Sequence, residues 1–371
     1  MALYSIPYVQ VNKQYEEEKE GLEAVISDVL ANRSHVGDKI VDELEEELAA
    51  YCGTKYAVAL NSGTDALMFS MLAAGIKRGD EVVTPPNSFV ASTSSIIHIG
   101  GKPIFADVLP DQNIDPDAVE AAITERTKAI MAVHLTGRVC QMDRLQKLAD
   151  KHNLLIIEDA AQSIGSKYNN KKSGSFGIAG CFSTHPLKNL NACGDGGFIT
   201  TDNEKIASRV RLLRAHGMKD RVTVEEWGFV SRMDTMQAAI LKFRLGRMQS
   251  VIDRRRANAK YYQENLKHTG IFFPDCKGEE YNTFHTFVIQ VENHRDALQE
   301  HLAKLGIKTT IHYPIPIHLQ PAAKSLGHNI GDFPITENQA KNILTLPVNQ
   351  YMARADQDVI IKETLAFMDN V

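Results

Sequence analysis

The 371-residue sequence predicts an α/β protein with a mostly parallel, doubly wound mixed sheet flanked by helices and a smaller C-terminal α/β unit. Two observations predict this. From Tyr56 to Thr201 short apolar runs alternate with stretches of helical spacing, the signature of parallel strands joined by crossover helices. Beyond Met233 that alternation stops and a long helical stretch leads into a second, shorter α/β pattern. The chain is long enough to bury one large and one small core, and the boundary is placed between residues 1–245, with the N-terminal segment, and residues 246–371.

Tyr56–Leu60 opens the series as a strand, and Thr64–Ala74 has helical spacing. Glu81–Thr84 is again strand-like and is followed by a Ser/Thr-rich helix through Ile97. Lys102–Phe105, Ala129–Val133 and Leu154–Ile157 continue the sheet, with helices around Val119 and Leu145 between them. Ile178–Phe182 and Gly197–Thr201 are expected to complete it. Met236–Leu266 reads as an interrupted helix linking the two units. In the second unit Thr286–Val291 and Lys308–Ile311 are expected strands around a helix from Arg295 to Leu305.

Hydrophobic residues make up 43% and charged residues 23%, ordinary for a globular enzyme, and the net charge of −5 gives no basic footprint for nucleic acid or membrane. The run Arg254–Arg256 lies in a helical pattern and reads as a solvated face. Five scattered cysteines without a CxxC pair point to reduced thiols rather than a disulfide framework or metal site. The N-terminus lacks a basic and then apolar leader, and no apolar stretch reaches membrane-spanning length, so a cytoplasmic protein is expected.

The chemistry-bearing residues fall at predicted strand ends, where open α/β sheets bind ligands. Lys188 follows the Ile178–Phe182 strand and precedes the glycine-rich Gly194–Gly197 turn. An amine held there loses solvation, drops its pKa and becomes a nucleophile toward an aldehyde, which points to a Schiff base with pyridoxal phosphate. Asp159, at the end of Leu154–Ile157, offers a carboxylate for the ring nitrogen; the alternative is that Glu158 and Asp159 cap a following helix. Ser62, Gly63 and Thr64 lie between a strand and a helix, so their free amides suit a phosphate, or Ser62 is an ordinary N-cap. Ser183 adds a hydroxyl, Phe89 a face to stack on, and Gln162 shares the face of Asp159 if that segment is helical.

In order along the chain, Asn61–Leu67, Ile157–Gln162, Phe182–Leu190, Gly194–Gly197, Ser231-Arg232 with Gln237–Ala239, and His312–Pro314 leading to His318–Pro321 resemble the DegT/StrS-like family of PLP-dependent nucleotide-sugar aminotransferases, of fold type I. The resemblance covers nearly the full length. It implies that Lys188 is the Schiff-base lysine and proton shuttle, that Asp159 pairs with the pyridine nitrogen and Gln162 with the phenolic oxygen, that Gly63, Thr64 and Ser183 hold the phosphate, and that Phe89 stacks on the ring. His185, Tyr313 and His318 are candidate substrate contacts. The resemblance also implies pyridoxal phosphate with pyridoxamine phosphate as its intermediate form, L-glutamate as amino donor, a nucleoside-diphosphate keto-sugar as acceptor, and a homodimer with shared active sites. Gly194–Gly197 and Ser231–Asp234 resemble members acting at C3 of 3-keto-6-deoxy sugars more than those acting at C4. A non-catalytic PLP-binding regulator is the alternative of a different class. Three departures from the family pattern stand out: Val230 where an asparagine is common, Thr136 where a tyrosine is frequent, and His185 three residues before Lys188 rather than a histidine in the lysine's place.

Overall fold

The computed structural model describes residues 3–371; Met1 and Ala2, part of the N-terminal run read above, lie outside the described residues. Thirteen strands follow in chain order: β1 Tyr56–Leu60, β2 Glu81–Thr84, β3 Lys102–Phe105, β4 Thr127–Val133, β5 Leu155–Asp159, β6 Lys167–Tyr168, β7 Lys171–Lys172, β8 Ala179–Ser183, β9 Gly197–Thr201, β10 Ile271–Phe272, β11 Glu280–Tyr281, β12 Phe287–Val291 and β13 Ile343–Leu346. Seven of them form the main sheet in the order β1-β9-β8-β5-β4-β2-β3. The pairs β3–β2, β2–β4, β4–β5 and β5–β8 are parallel, whereas β9 runs antiparallel to both β8 and β1. The sheet is therefore mixed and mostly parallel, as the alternation predicts.

Side-chain alternation along the strands decides which helices cover which face. Val58 and Leu60, Met131 and Val133, Ile157, Cys181 and Ile199 pack on one side with Leu67, Phe69 and Met71 of helix α3 (Gly63–Ala73), which follows α1 (Val11–Asn32) and α2 (Lys39–Cys52). Their neighbours Ala57, Ala59, Phe182 and Phe198 pack on the other side, under Leu44 and Leu48 of the helix Lys39–Cys52. Ile130, Ala132 and Ile156 continue that second face against Val119 and Leu145. Both faces are covered, so the strands read as near-continuous apolar runs rather than alternating ones.

The long helical stretch after Met233 is two helices, Thr235–Leu245 and Met248–Asn265, broken at Gly246-Arg247. The second passes between cores: Met248 and Ile252 pack with the large sheet, while Ala259 and Tyr262 pack in the smaller layer. That layer is a three-stranded sheet, β10-β12-β13, antiparallel throughout and backed by helices Arg295–Leu305 and Arg354–Met368. Lys308–Ile311, expected as a strand, makes only single bridges, Ile307 with Ile6 and Thr310 with Thr345. The strand that pairs with β12 opposite β10 is instead Ile343–Leu346, which follows the helix Pro334–Asn342. Ile6, read with the large unit, packs in the second core beside Tyr262 and Ile307.

One buried polar cluster ties the N-terminal helix Val11–Asn32 to the loop that carries Lys188. Gln14 exchanges hydrogen bonds with Asn191 at 3.0 Å, and Asn191 also donates to the Pro186 carbonyl at 2.8 Å. Arg244 donates to the Asn191 carbonyl at 2.7 Å and pairs with Glu18 at 2.9 Å, with both side chains under 10% exposed. Removing one partner of a buried pair strands the other charge. Arg244→Ala is expected to cost about 3–5 kcal/mol, read as a lower urea midpoint; an unchanged midpoint would show that Glu18 finds water.

Candidate active site

The carboxyl ends of β1, β2, β4, β5 and β8 open on a cavity of about 420 Å³, a size suited to a small-molecule ligand. It is lined by Ser62, Gly63, Thr64, Phe89, Asp159, Gln162, Ser183, His185, Lys188 and Tyr313 among others, so the chemical candidates read from the sequence meet at one place, with one exception. His318 is the exception. It is buried outside the cavity with Nε2 at 3.1 Å from Glu337 and its ring packed edge-on against Phe333, so it does not reach a ligand there. It lies in a turn of 3₁₀-helix, Ile317–Leu319, that follows the Tyr313 segment.

Lys188 stands in a turn after β8, its amide donating to the His185 carbonyl at 2.8 Å. Two further backbone bonds, Thr184 to Gly196 and Ala192 to Thr184, fix the loop on both sides. Burial of the ammonium lowers its pKa from the usual lysine range to about 8, and the Asp159 carboxylate opposes that shift. Asp159 ends β5, where its Oδ2 accepts from the Ser92 hydroxyl at 2.7 Å and its Oδ1 from the Ala161 amide at 3.2 Å. No helix follows: residues 160–166 form turns, so Asp159 caps nothing and is free to face the cavity. Gln162 reaches the cavity along that turn rather than on a helical face. Its Oε1 accepts from the Thr136 amide at 2.8 Å and its Nε2 lies 3.4 Å from the Tyr313 hydroxyl.

Ser62 caps α3 through Asp65, and the amides of Gly63 and Thr64 have no acceptor among the described residues. Both readings of the motif therefore hold together: a cap, and a helix N-terminus open to an anion. Only glycine fits around it. A Cβ on Gly63 would lie 2.8 Å from that of Ser183, and one on Gly197 would fall on the backbone of Ser62 and Gly63. Phe89 leads into the helix Val90–His98 with 57% of its surface exposed, its ring 5.8 Å from that of Tyr313.

Several lining residues were not read as site residues from the sequence, and the Arg254–Arg256 run, read as a solvated face, is buried at Arg255, which lines the cavity. Ser92 is one serine of a Ser/Thr-rich helix, and only the fold shows which of them meets Asp159. Tyr8, Arg255, His285, His312 and Asn349 enter from the N-terminal segment and the smaller layer. Burial lowers the pKa of His312 to about 4 and that of His285 well below the usual imidazole range, the Lys188 charge adding to both. Thr136, at the position of a frequent family tyrosine, has φ 63° and spends its amide on Gln162. Val230 is 54% exposed and bridges to Ala215, outside the cavity.

The fold and this cluster of an amine, a carboxylate and an anion cradle at strand ends define an aminotransferase-type site. The chain belongs to the DegT/DnrJ/EryC1/StrS aminotransferase family, which it matches over residues 15–364. It is 38% identical to a dTDP-3-amino-3,4,6-trideoxy-alpha-D-glucose transaminase of Streptomyces venezuelae, covering 94% of this chain and 92% of that one. It is also 38% identical, over 98% of both chains, to a protein of Geobacillus stearothermophilus named a pleiotropic regulatory protein. The solved structure of S. venezuelae DesV in complex with a ketimine intermediate superposes with a TM-score of 0.96 at 36% identity, covering 99% of each chain. The fold is that of the PLP-dependent aminotransferases of fold type I.

The lowered pKa of Lys188 makes a prediction with a definite sign. In the cofactor-free protein, acylation of Lys188 followed by mass spectrometry is expected to titrate with a midpoint near 8. Because the Asp159 carboxylate raises that midpoint, Asp159→Asn is expected to move it further down. An upward move would contradict the arrangement.

Proposed function

We propose that the chain is a PLP-dependent transaminase that moves an amino group from L-glutamate to C3 of a nucleoside-diphosphate-linked 3-keto-6-deoxy sugar. The observation that carries this reading is the convergence of Lys188, Asp159 and the open Gly63–Thr64 amides on one cavity. The residues present fit pyridoxal phosphate: an amine for its aldehyde, a carboxylate for its ring nitrogen, and two open amides at a helix N-terminus for its phosphate. The identity of about 38% to a transaminase named for a 3-amino sugar supports C3 over C4. The relative named for regulation shares the family, but the cavity of this chain keeps each group that transamination needs, so the catalytic reading stands ahead of the regulatory one.

When bound, the cofactor supplies an aldehyde that exchanges amines and a conjugated ring that accepts electrons from the substrate carbon. The protein does the rest. Lys188 presents an amine that is substantially neutral near pH 8, able to take a proton at Nζ from the substrate carbon and return it. Asp159, held by Ser92 and Ala161, would pair its carboxylate with the ring N–H. Gly63 and Thr64 would hold the phosphate with their amides, and Thr64 and Ser183 with their hydroxyls, at the positive end of α3. Phe89 would cover one face of the ring, and Gln162 would offer its Nε2 to the cofactor's phenolic oxygen. His185 and Tyr313 stand at the cavity wall as sugar contacts.

The same proposal includes a homodimer with shared sites. Val222, Trp227, Phe229 and Val230 are exposed on one loop, Trp227 by 91%, and Phe89, Val90 and Leu187 are exposed beside the cavity mouth. Apolar surface of this kind is normally covered. Sedimentation velocity is expected to show a two-chain particle; a monomer at micromolar concentration would remove this part of the reading.

Lys188→Ala is expected to lower amino-sugar formation by at least about a thousandfold, because it removes both nucleophile and proton carrier. NMR of the wild-type product is expected to place the new amine at C3. Persistent turnover in the variant, or an amine at C4, would overturn the corresponding part of the assignment.

A further inference from the structure

Arg255 lies in the helix Met248–Asn265, is 6% exposed, and lines the same cavity as Lys188. Its Nε donates to Gln350 Oε1 at 3.0 Å, and its Nη1 to the carbonyls of Phe284 at 3.3 Å and His285 at 3.0 Å. All three acceptors are neutral. Its Nη2 takes no partner among the described residues, yet it is absent from the polar atoms sealed off from solvent, so it opens on accessible space.

The other buried arginines are treated differently. Arg138 pairs with Glu280, Arg244 with Glu18 and Arg295 with Asp296. Arg255 alone among them has no carboxylate partner; the ionisable groups acting on it are the hydroxyls of Tyr8 and Tyr351, and burial lowers its pKa to about 10. A buried cation without a counter-charge is expensive, and the cost is removed when a ligand supplies the anion.

The surroundings define which anion. Lys188 and Arg255 share both the main cavity and a smaller one beside it, with Asn349 lining each. His285 senses the charges of both, so the guanidinium sits in the chamber of the reacting amine. Of the carboxylates lining the main cavity, Asp159 is already engaged by Ser92 and Ala161, and the other is Asp195. In an α-amino acid the carboxylate is bonded to the carbon that gives up the amine, so its receptor must lie in that chamber. In a nucleotide sugar the diphosphate hangs from the anomeric carbon, removed from the carbonyl that is aminated. A planar guanidinium with a free N–H matches a carboxylate in geometry as well as charge.

We propose that Arg255 is the receptor for the α-carboxylate of the amino donor, an α-amino acid, and so determines donor binding without serving the sugar. This rests on the transaminase reading above.

The test uses holoenzyme of the wild type, Arg255→Gln and Arg255→Lys, and follows the two half-reactions apart. Loss of the cofactor's visible absorbance on adding L-glutamate reads the donor arm, and its return on adding keto-sugar to the pyridoxamine form reads the acceptor arm. Calorimetry with glutarate, a dicarboxylate that cannot react, reads binding alone. Arg255→Gln is expected to raise the glutamate half-saturation and the glutarate Kd about 10- to 100-fold, with Arg255→Lys between it and wild type and the sugar half-saturation unmoved. Unchanged glutamate and glutarate values in a folded variant would overturn the proposal, and a loss confined to the sugar arm would assign Arg255 to the diphosphate instead. Should Arg255→Gln not fold, Arg255→Lys decides: it keeps the charge and most of the packing, and wild-type donor values in it would overturn the assignment. A wild-type protein whose absorbance does not respond to glutamate would instead overturn the transaminase reading itself.

Discussion

Burying an amine within reach of a carboxylate is the constraint on which the rest of the site depends. An ammonium deep in a protein is costly, and the chain meets that cost by letting Lys188 shed its proton more easily while Asp159 limits the shift. The two residues must therefore be held without collapsing into a simple ion pair. Asp159 is anchored by Ser92 and a backbone amide, and Lys188 by a loop pinned through Asn191 to Gln14 and Arg244.

The sheet makes such positions available. Six parallel strands end at one edge, five of them at the cavity, and the antiparallel β9 begins there, so six chain segments converge on the cavity. Convergence crowds the backbone. Gly63 and Gly197 are small because Ser183 and the Ser62–Gly63 peptide leave no room for a side chain, and that same closeness exposes the helix N-terminus to the cavity. Glu158, one residue before Asp159, shows the opposite use of an acid: fully buried, it accepts from the amides of Gly174, Phe176 and Gly177 and meets His134 at 3.0 Å. Adjacent carboxylates on one strand point to opposite faces, one holding a loop and one facing the cavity.

The smaller layer completes the cavity from the other side. Arg255, His285, His312 and Asn349 reach it from a helix, loops and the end of a strand that belong to, or border, the second core. Tyr8 joins them because Ile6 is stitched to Ile307, which draws the N-terminal segment across. The result is a wall of basic and neutral donors facing the carboxylate-bearing edge of the large sheet.

By itself the sequence determined what is local or periodic. Strands Lys102–Phe105 and Gly197–Thr201 and the helix Arg295–Leu305 were legible to the residue, because apolar period and turn residues are written in consecutive positions. Lys188, Asp159, Gly63 and Thr64 were legible for a related reason: each lies at a strand end, and strand ends can be read one at a time. Tertiary structure decided whatever depends on partners distant in the chain. Ile343–Leu346 is a strand because β12 pairs with it, whereas Lys308–Ile311 touches the far side of that strand only through Thr310 and Thr345. His318 pairs with Glu337 outside the cavity, Gln162 lines it on a turn rather than a helix with its Oε1 on the Thr136 amide, and Ser92 and Arg255 line it through contacts that no spacing encodes. Pairing and burial are set by which surfaces meet, and a linear pattern carries that information only where neighbours in sequence are also neighbours in space.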